Sequence, residues 1–101
     1  MTITKECKDN AVTLKLEGWL DTTTAPELGA EVDALDKTGA IVLDFDKLEY
    51  ISSAGLRQIV AALRKARSMD AAFSIVNVGG EIMNIFKMTG LHQKMTVVEK
   101  A

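Results

Sequence analysis

Apolar residues in this chain recur at two spacings that alternate along its length. Val12, Leu14 and Leu16 alternate with polar neighbours, as in a half-buried strand, and Ile3 starts an edge strand paired with it through a Lys8-Asp9-Asn10 turn. Thr24-Ala25-Pro26-Glu27 reads as a capping box with proline in the first turn, ahead of a helical stripe of Leu28, Val32 and Leu35 that Gly39 closes. The continuous run Ile41-Val42-Leu43 predicts a strand over 40–45 covered on both faces. Leu56, Ile59, Val60 and Leu63 then predict a helix over 53–67, with Arg64, Lys65 and Arg67 near its C-terminus, where cations suit the dipole. Phe73, Ile75, Val76 and Val78 make the next strand. Gly79-Gly80 turns into a short helix carrying Ile82, Ile85 and Phe86 that stops at Gly90, and Thr96 to Val98 supply a last strand. Strands alternating with helices from residue 24 onward predict one α/β domain over 1–101. Its sheet is mostly parallel, with an N-terminal antiparallel edge hairpin and helices packed against it.

The junction between the central strand and the long helix carries the candidate chemistry. Asp44-Phe45-Asp46-Lys47-Leu48-Glu49-Tyr50-Ile51-Ser52-Ser53-Ala54-Gly55-Leu56 leaves a strand and enters a helix on two small hydroxyl residues. Ser52-Ser53 falls where an N-cap belongs, its hydroxyl accepting from orphan amide N–H groups. A phosphate attached there would meet unpaired N–H groups and the positive end of the helix dipole.

Bulk properties narrow the function classes. With 101 residues, 48% of them hydrophobic, the chain is long enough to bury about two thirds of its unfolded surface without covalent staples. Its single cysteine, Cys7, and single histidine, His92, give neither an intramolecular disulfide nor a metal-ligand cluster, so no metal or other cofactor is expected. A reducing cytoplasm fits best. No secretory signal pattern or membrane-length apolar run occurs, and no membrane insertion is expected. A net charge of -2 argues against nucleic acid as the main partner and favours a protein. Catalysis finds no support, since the nucleophile-elbow and Walker patterns are absent and His92 is the only histidine base.

Three blocks carry a resemblance. The junction is similar to the phosphorylation motif of the STAS-domain anti-sigma-factor antagonists of bacteria, in which an aspartate-ending strand runs through an aromatic-aliphatic pair to Asp/Ser-Ser-Ser/Ala-Gly-Leu. Gly18-Trp19-Leu20-Asp21-Thr22-Thr23-Thr24-Ala25 resembles the family's Gly-x-Leu-Asp-x-x-x-Ala turn, and Ile85-Phe86-Lys87-Met88-Thr89-Gly90-Leu91 its Phe-x-x-x-Gly-Leu segment. The resemblance covers essentially the whole chain and implies a STAS-like fold. It implies Ser53 as phosphoacceptor, with Ser52 as second choice. Ser52 stands where many members carry aspartate, and Ala54 where many carry a second serine. The implied function is an anti-sigma-factor antagonist, monomeric when free. Unphosphorylated, it would bind a serine-kinase anti-sigma factor and free a sigma factor; the kinase would switch it off and a serine phosphatase restore it. The implied contact surface is Asp21, Thr22, Thr23, Ser52, Ser53, Ala54, Gly55 and Arg57. An alternative keeps the same domain as a scaffold or regulatory subunit of a stress-sensing or lipid-transport assembly.

Each of these residues also has a plainer reading. Ser53 can be only a cap, and Asp21 can stabilise a turn by bonding its own backbone instead of facing a partner's cations. Gly55 can serve helix-sheet packing, although a glycine one turn into a helix costs about 1 kcal/mol relative to alanine and hints at a close approach. Trp19 is expected to be half-buried core sooner than interface, and Met83 and Met88 are expected as core filler. Arg57 lies one turn after Ser53 on the same flank as Arg64. It is either solvated surface or a contact to the kinase partner or to a phosphate on Ser53.

Overall fold

The computed structural model describes residues 1–100. The elements follow in the order β1 (Thr2–Lys8), β2 (Ala11–Leu20), α1 (Ala25–Asp33), β3 (Ala40–Ile51), α2 (Ser53–Ser68), β4 (Ala72–Val78), α3 (Gly80–Thr89), a 3-10 turn (Leu91–Gln93) and β5 (Thr96–Glu99). One five-stranded sheet runs β1-β2-β3-β4-β5, with β1 and β2 antiparallel and every other pair parallel. The expected α/β domain with an edge hairpin is therefore the architecture observed.

Asp9 and Asn10 form the hairpin turn in the left-handed region, with φ of 50° and 66°. Asparagine and aspartate tolerate that region best after glycine, and such two-residue turns match the twist of the strands they join. Lys8 lies opposite Ala11, and the register continues to Thr2 opposite Glu17.

Because strand order advances steadily from β2 to β5, right-handed crossovers put all their helices on the same side of the sheet. Burial follows from that. Leu14, Leu16, Ile41, Leu43, Phe45 and Ile75 are buried on the helix side, whereas Thr13, Val42, Asp44, Ser74 and Val76 are only half-buried. The expectation that Ile41-Val42-Leu43 is covered on both faces is thus corrected: this strand has one covered face. Beneath the helices Phe45 and Phe86 approach to 6.3 Å between ring centroids, and Ile59, Ala62, Leu63 and Ala66 of α2 complete the core.

Element ends differ from expectation in three places. β3 continues to Ile51, six residues past the predicted end at 45, because parallel pairing with β2 sustains it through register shifts at Lys15/Glu17 and Gly18/Trp19. α1 has no side-chain cap from Thr24, whose backbone is already near helical at φ -101° and ψ -20°. The Thr24 hydroxyl donates instead to the Trp19 carbonyl at 2.7 Å and accepts from the Asp21 N–H at 2.8 Å, so there is no capping box. Gly39 does not close α1, which ends at Asp33 with Ala34 as C-cap. It lies close against the hairpin turn instead: its N–H donates to the Asn10 carbonyl at 2.8 Å, and a Cβ there would displace the exposed Asn10 side-chain amide. Gly90 does end α3 as expected, in the left-handed conformation at φ 76°.

Candidate functional site

The parallel strands β2 and β3 bring their C-terminal ends together, with Trp19 opposite Tyr50 and Leu20 opposite Ile51. β2 then turns into the loop 21–24, and β3 passes through Ser52 into α2. The Ser52 N–H donates to the Leu20 carbonyl at 2.9 Å, tying the two exits to each other. Gly55 sits against the same carbonyl. A Cβ on it would lie 2.7 Å from Leu20 O and 2.8 Å from Ile51 Cγ1, closer than atoms pack. The glycine therefore serves helix-sheet packing, and the close neighbour is the chain's own strand. Gly55 is buried and Ala54 half-buried, so of the candidate contact residues these contribute chiefly by holding α2 down on the strand ends.

The two serines have different roles. Ser52 has extended backbone (φ -98°, ψ 177°), its carbonyl accepts the first helical bond from Leu56 N–H at 2.9 Å, and its Oγ accepts from Gly55 N–H at 3.2 Å. It is the N-cap. Ser53 is the first residue of the helix, exposed, and its hydroxyl has no hydrogen-bond partner among the described residues. The reading of Ser53 as the cap is thereby corrected. α2 has no acidic residue in its first turn, so nothing there offsets the positive end of its dipole. The Ser53 hydroxyl is both accessible and placed where an added anion is stabilised.

Asp21 holds the neighbouring loop. One carboxylate oxygen accepts from the Thr23 hydroxyl at 2.7 Å, the Thr23 N–H at 3.0 Å and the Thr24 N–H at 3.2 Å. These bonds, that of the Thr23 hydroxyl foremost, together hold its carboxyl below the ordinary aspartate range against the opposing effect of desolvation. Its turn-forming reading is therefore realised. The charge is kept at the strand ends beside the exposed Thr22 and Thr23. Arg57 is exposed and makes no ion pair among the described residues.

Sequence reasoning missed an aromatic pair here. Trp19 and Tyr50 stack with centroids 4.9 Å apart and planes tilted by 39°, yet remain 55% and 44% exposed. The expectation of a half-buried core tryptophan is corrected, because Trp19 precedes the fully buried Leu20 on β2 and so stands on the opposite, uncovered face of the sheet. The available signal was Tyr50 at the equivalent end of the next parallel strand. Met83 is buried as expected, but Met88 is 86% exposed and is not core filler. Among the described residues no group of three or more His, Cys, Asp or Glu side chains is placed to hold a metal ion. Among them, too, no helix is long and apolar enough to cross a membrane.

A sequence model of the STAS domain matches residues 2–101. The chain belongs to the STAS domain family. Among relatives of this STAS chain, the anti-sigma-B factor antagonist of Staphylococcus aureus is 30% identical over 101 residues, covering 98% of this chain and 94% of that protein. An anti-sigma factor antagonist from Mycobacterium paratuberculosis superposes with a TM-score of 0.87 at 26% identity, over 96% of this chain and 84% of that one. The Bacillus cell fate determinant SpoIIAA in its phosphorylated form shares the fold, with a TM-score of 0.75 at 18% identity over 95% of this chain and 90% of that one.

Proposed function

We propose that this STAS domain is an anti-sigma-factor antagonist whose binding is gated by phosphorylation of Ser53. The supporting observation is the division between the serines: Ser52 is consumed as the helix cap, while Ser53 is exposed, unbonded and at the positive end of α2. The names borne by its relatives agree with this role. In the unmodified form the ends of β2 and β3 and the start of α2 dock a serine-kinase anti-sigma factor, through Thr22, Thr23, Ser53 and Arg57, with Asp21 facing the partner's cations. Sequestration of that partner releases a sigma factor. The kinase transfers a phosphate to Ser53, and a serine phosphatase removes it.

The switch requires no refolding. A phosphoserine adds about -1.5 to -2 charges to a surface that was small and nearly neutral. A like charge on the partner at about 4 Å, with an effective dielectric near 20, costs around 4 kcal/mol, roughly a thousandfold in affinity. In the free protein the helix start receives the phosphate favourably, so the penalty falls on the complex.

The test is to incubate the chain with the serine-kinase anti-sigma factor of the same genome and ATP, locate the phosphate by peptide mass spectrometry and titrate both forms against the kinase. Phosphate on Ser53 and binding by the unmodified form alone are expected. Equal affinity of both forms for the kinase would overturn the gating, and failure of the unmodified form to bind it would overturn the role.

A further inference from the structure

Next to Ser53, α2 forms one wall of a groove whose other wall is the end of α3 and the 3-10 turn. Leu56, Val60 and Leu91 are half-buried in it, Arg57, Arg64 and Thr89 stand at its edges, and its volume is about 370 Å³. The cations of α2 are not equivalent. Lys65 Nζ donates to the Asp33 carbonyl at 3.3 Å and Arg67 Nη2 to the Lys94 carbonyl at 3.4 Å. Arg57 and Arg64 are exposed and have neither a hydrogen-bond nor an ion-pair partner among the described residues. The two ion pairs found among the described residues, Lys15–Glu6 and Lys100–Asp46, lie on other elements. An apolar floor flanked by two unmatched arginines, on a chain of net charge -2, is a local exception that calls for an anion carried on an apolar body.

We propose that this groove takes an acidic amphipathic helix of the anti-sigma factor partner. The inference rests on the proposed function and extends its contact surface from the strand ends along α2. Helix-in-groove recognition seats apolar residues at helical spacing while charged residues on the rim set orientation. Arg57 and Arg64 lie seven residues apart on one helix, roughly 10 Å at 1.5 Å per residue. Two carboxylates the same two turns apart on the partner match them, with an aliphatic side chain between reaching Leu56, Val60 and Leu91. An extended anionic surface such as a membrane or nucleic acid is disfavoured by the chain's net charge of -2.

Continuity with Ser53 links this surface to the gate. Ser53 precedes Arg57 by four residues, one turn along the same helix. A phosphate on Ser53 competes with the partner's carboxylate for the Arg57 guanidinium through a charge-assisted bond. Phosphorylation thereby removes one of the groove's two cations as well as adding a repulsive charge.

The experiment measures association rate and affinity for the purified serine-kinase anti-sigma factor at low and high salt, for the wild-type chain and for Arg64→Glu, Arg64→Lys and Val60→Asp. Arg64→Glu should keep the wild-type melting temperature, weaken binding about tenfold or more and flatten the salt dependence of the association rate, as loss of a rim charge does. Arg64→Lys should retain most of the affinity. Val60→Asp, which removes an apolar floor contact and sets a negative charge against an acidic helix, should weaken binding and flatten the salt dependence in the same sense. Wild-type affinity and salt dependence in Arg64→Glu would overturn the groove while leaving the Ser53 gate intact, and a wild-type chain that does not bind the kinase would overturn both. Two further outcomes would reassign the groove and overturn the proposal: binding to phosphatidylglycerol vesicles, or self-association, lost in Arg64→Glu with kinase affinity unchanged.

Discussion

The Ser52 hydroxyl accepts from the Gly55 N–H at 3.2 Å, and this one bond separates the tasks of two adjacent serines. Removing an N-cap hydroxyl costs about 1 kcal/mol, which for a domain of this size lowers the melting temperature by about 4–8 °C. Ser52→Ala is expected to show that loss and still accept phosphate on residue 53. Ser53→Ala should melt with the wild type and accept none from the kinase. Phosphate that persists in Ser53→Ala and disappears in Ser52→Ala would reverse the assignment.

Gly55→Ala tests the close contact between α2 and the end of β2. Alanine improves helix propensity by about 1 kcal/mol, but its Cβ would stand 2.7 Å from the Leu20 carbonyl oxygen, a backbone atom that cannot step aside cheaply. Overpacking of this kind costs about 1–3 kcal/mol. The variant should therefore be less stable in urea than the wild type and should slow phosphorylation of Ser53, since the start of α2 must shift. A variant equal to or more stable than the wild type would show that the approach is looser than described.

Asp21 supplies a pH-dependent element. Its folded pKa lies below the ordinary value of 3.8, chiefly through the Thr23 hydroxyl. A lowered carboxyl pKa contributes stability that is present above the unfolded value and is lost as pH falls through the folded one. Asp46 shifts the same way beside Lys100 and is common to both proteins in a comparison, so it cancels. Melting temperatures measured from about pH 5 to about pH 2 should fall less steeply below pH 3.8 in Asp21→Asn than in the wild type. Parallel curves would mean that the loop bonds do not favour the charged form.

The order of elements was legible because periods of two and of 3.6 switch cleanly at Thr24, Ser52 and Gly79. The extent of β3 was not. Asp46, Lys47 and Glu49 break any alternation, and only pairing with β2 across two register shifts keeps the segment extended. One-sided cover of the sheet was hidden for a similar reason: Val42 and Val76 look like core, but strand order, which no local pattern encodes, puts every crossover helix on the opposite face. At the site, the motif located the serines, yet which one caps depends on a φ/ψ choice at Ser52 that either residue type permits. The arginine-edged groove needed the end of α3 beside α2, a contact between residues about thirty positions apart and thus beyond periodicity.

Trp19 and Tyr50 lead to the last prediction. Two large aromatics stacked on each other yet 55% and 44% exposed add little to the core, and such a pair contributes only about 0.5–1.5 kcal/mol beyond its buried area. Exposed aromatics that become buried in a complex are, by contrast, among the strongest interface anchors. Their place at the ends of β2 and β3, where the chain turns toward Asp21 and Ser52, puts them on the surface proposed to meet the partner. Trp19→Ala is therefore expected to cost less in urea unfolding than the about 3–5 kcal/mol of a fully buried tryptophan and to weaken kinase binding by about tenfold or more. The loss should be insensitive to salt, unlike that of an arginine at the groove edge. Because Trp19 is the only tryptophan in the chain, its emission reports the same event, provided the partner is tryptophan-free or so engineered. Emission should move to shorter wavelength as the unmodified chain is titrated with the kinase and should stay put with the Ser53-phosphorylated form. An unchanged emission at saturation together with wild-type affinity in Trp19→Ala would place the aromatic pair outside the interface.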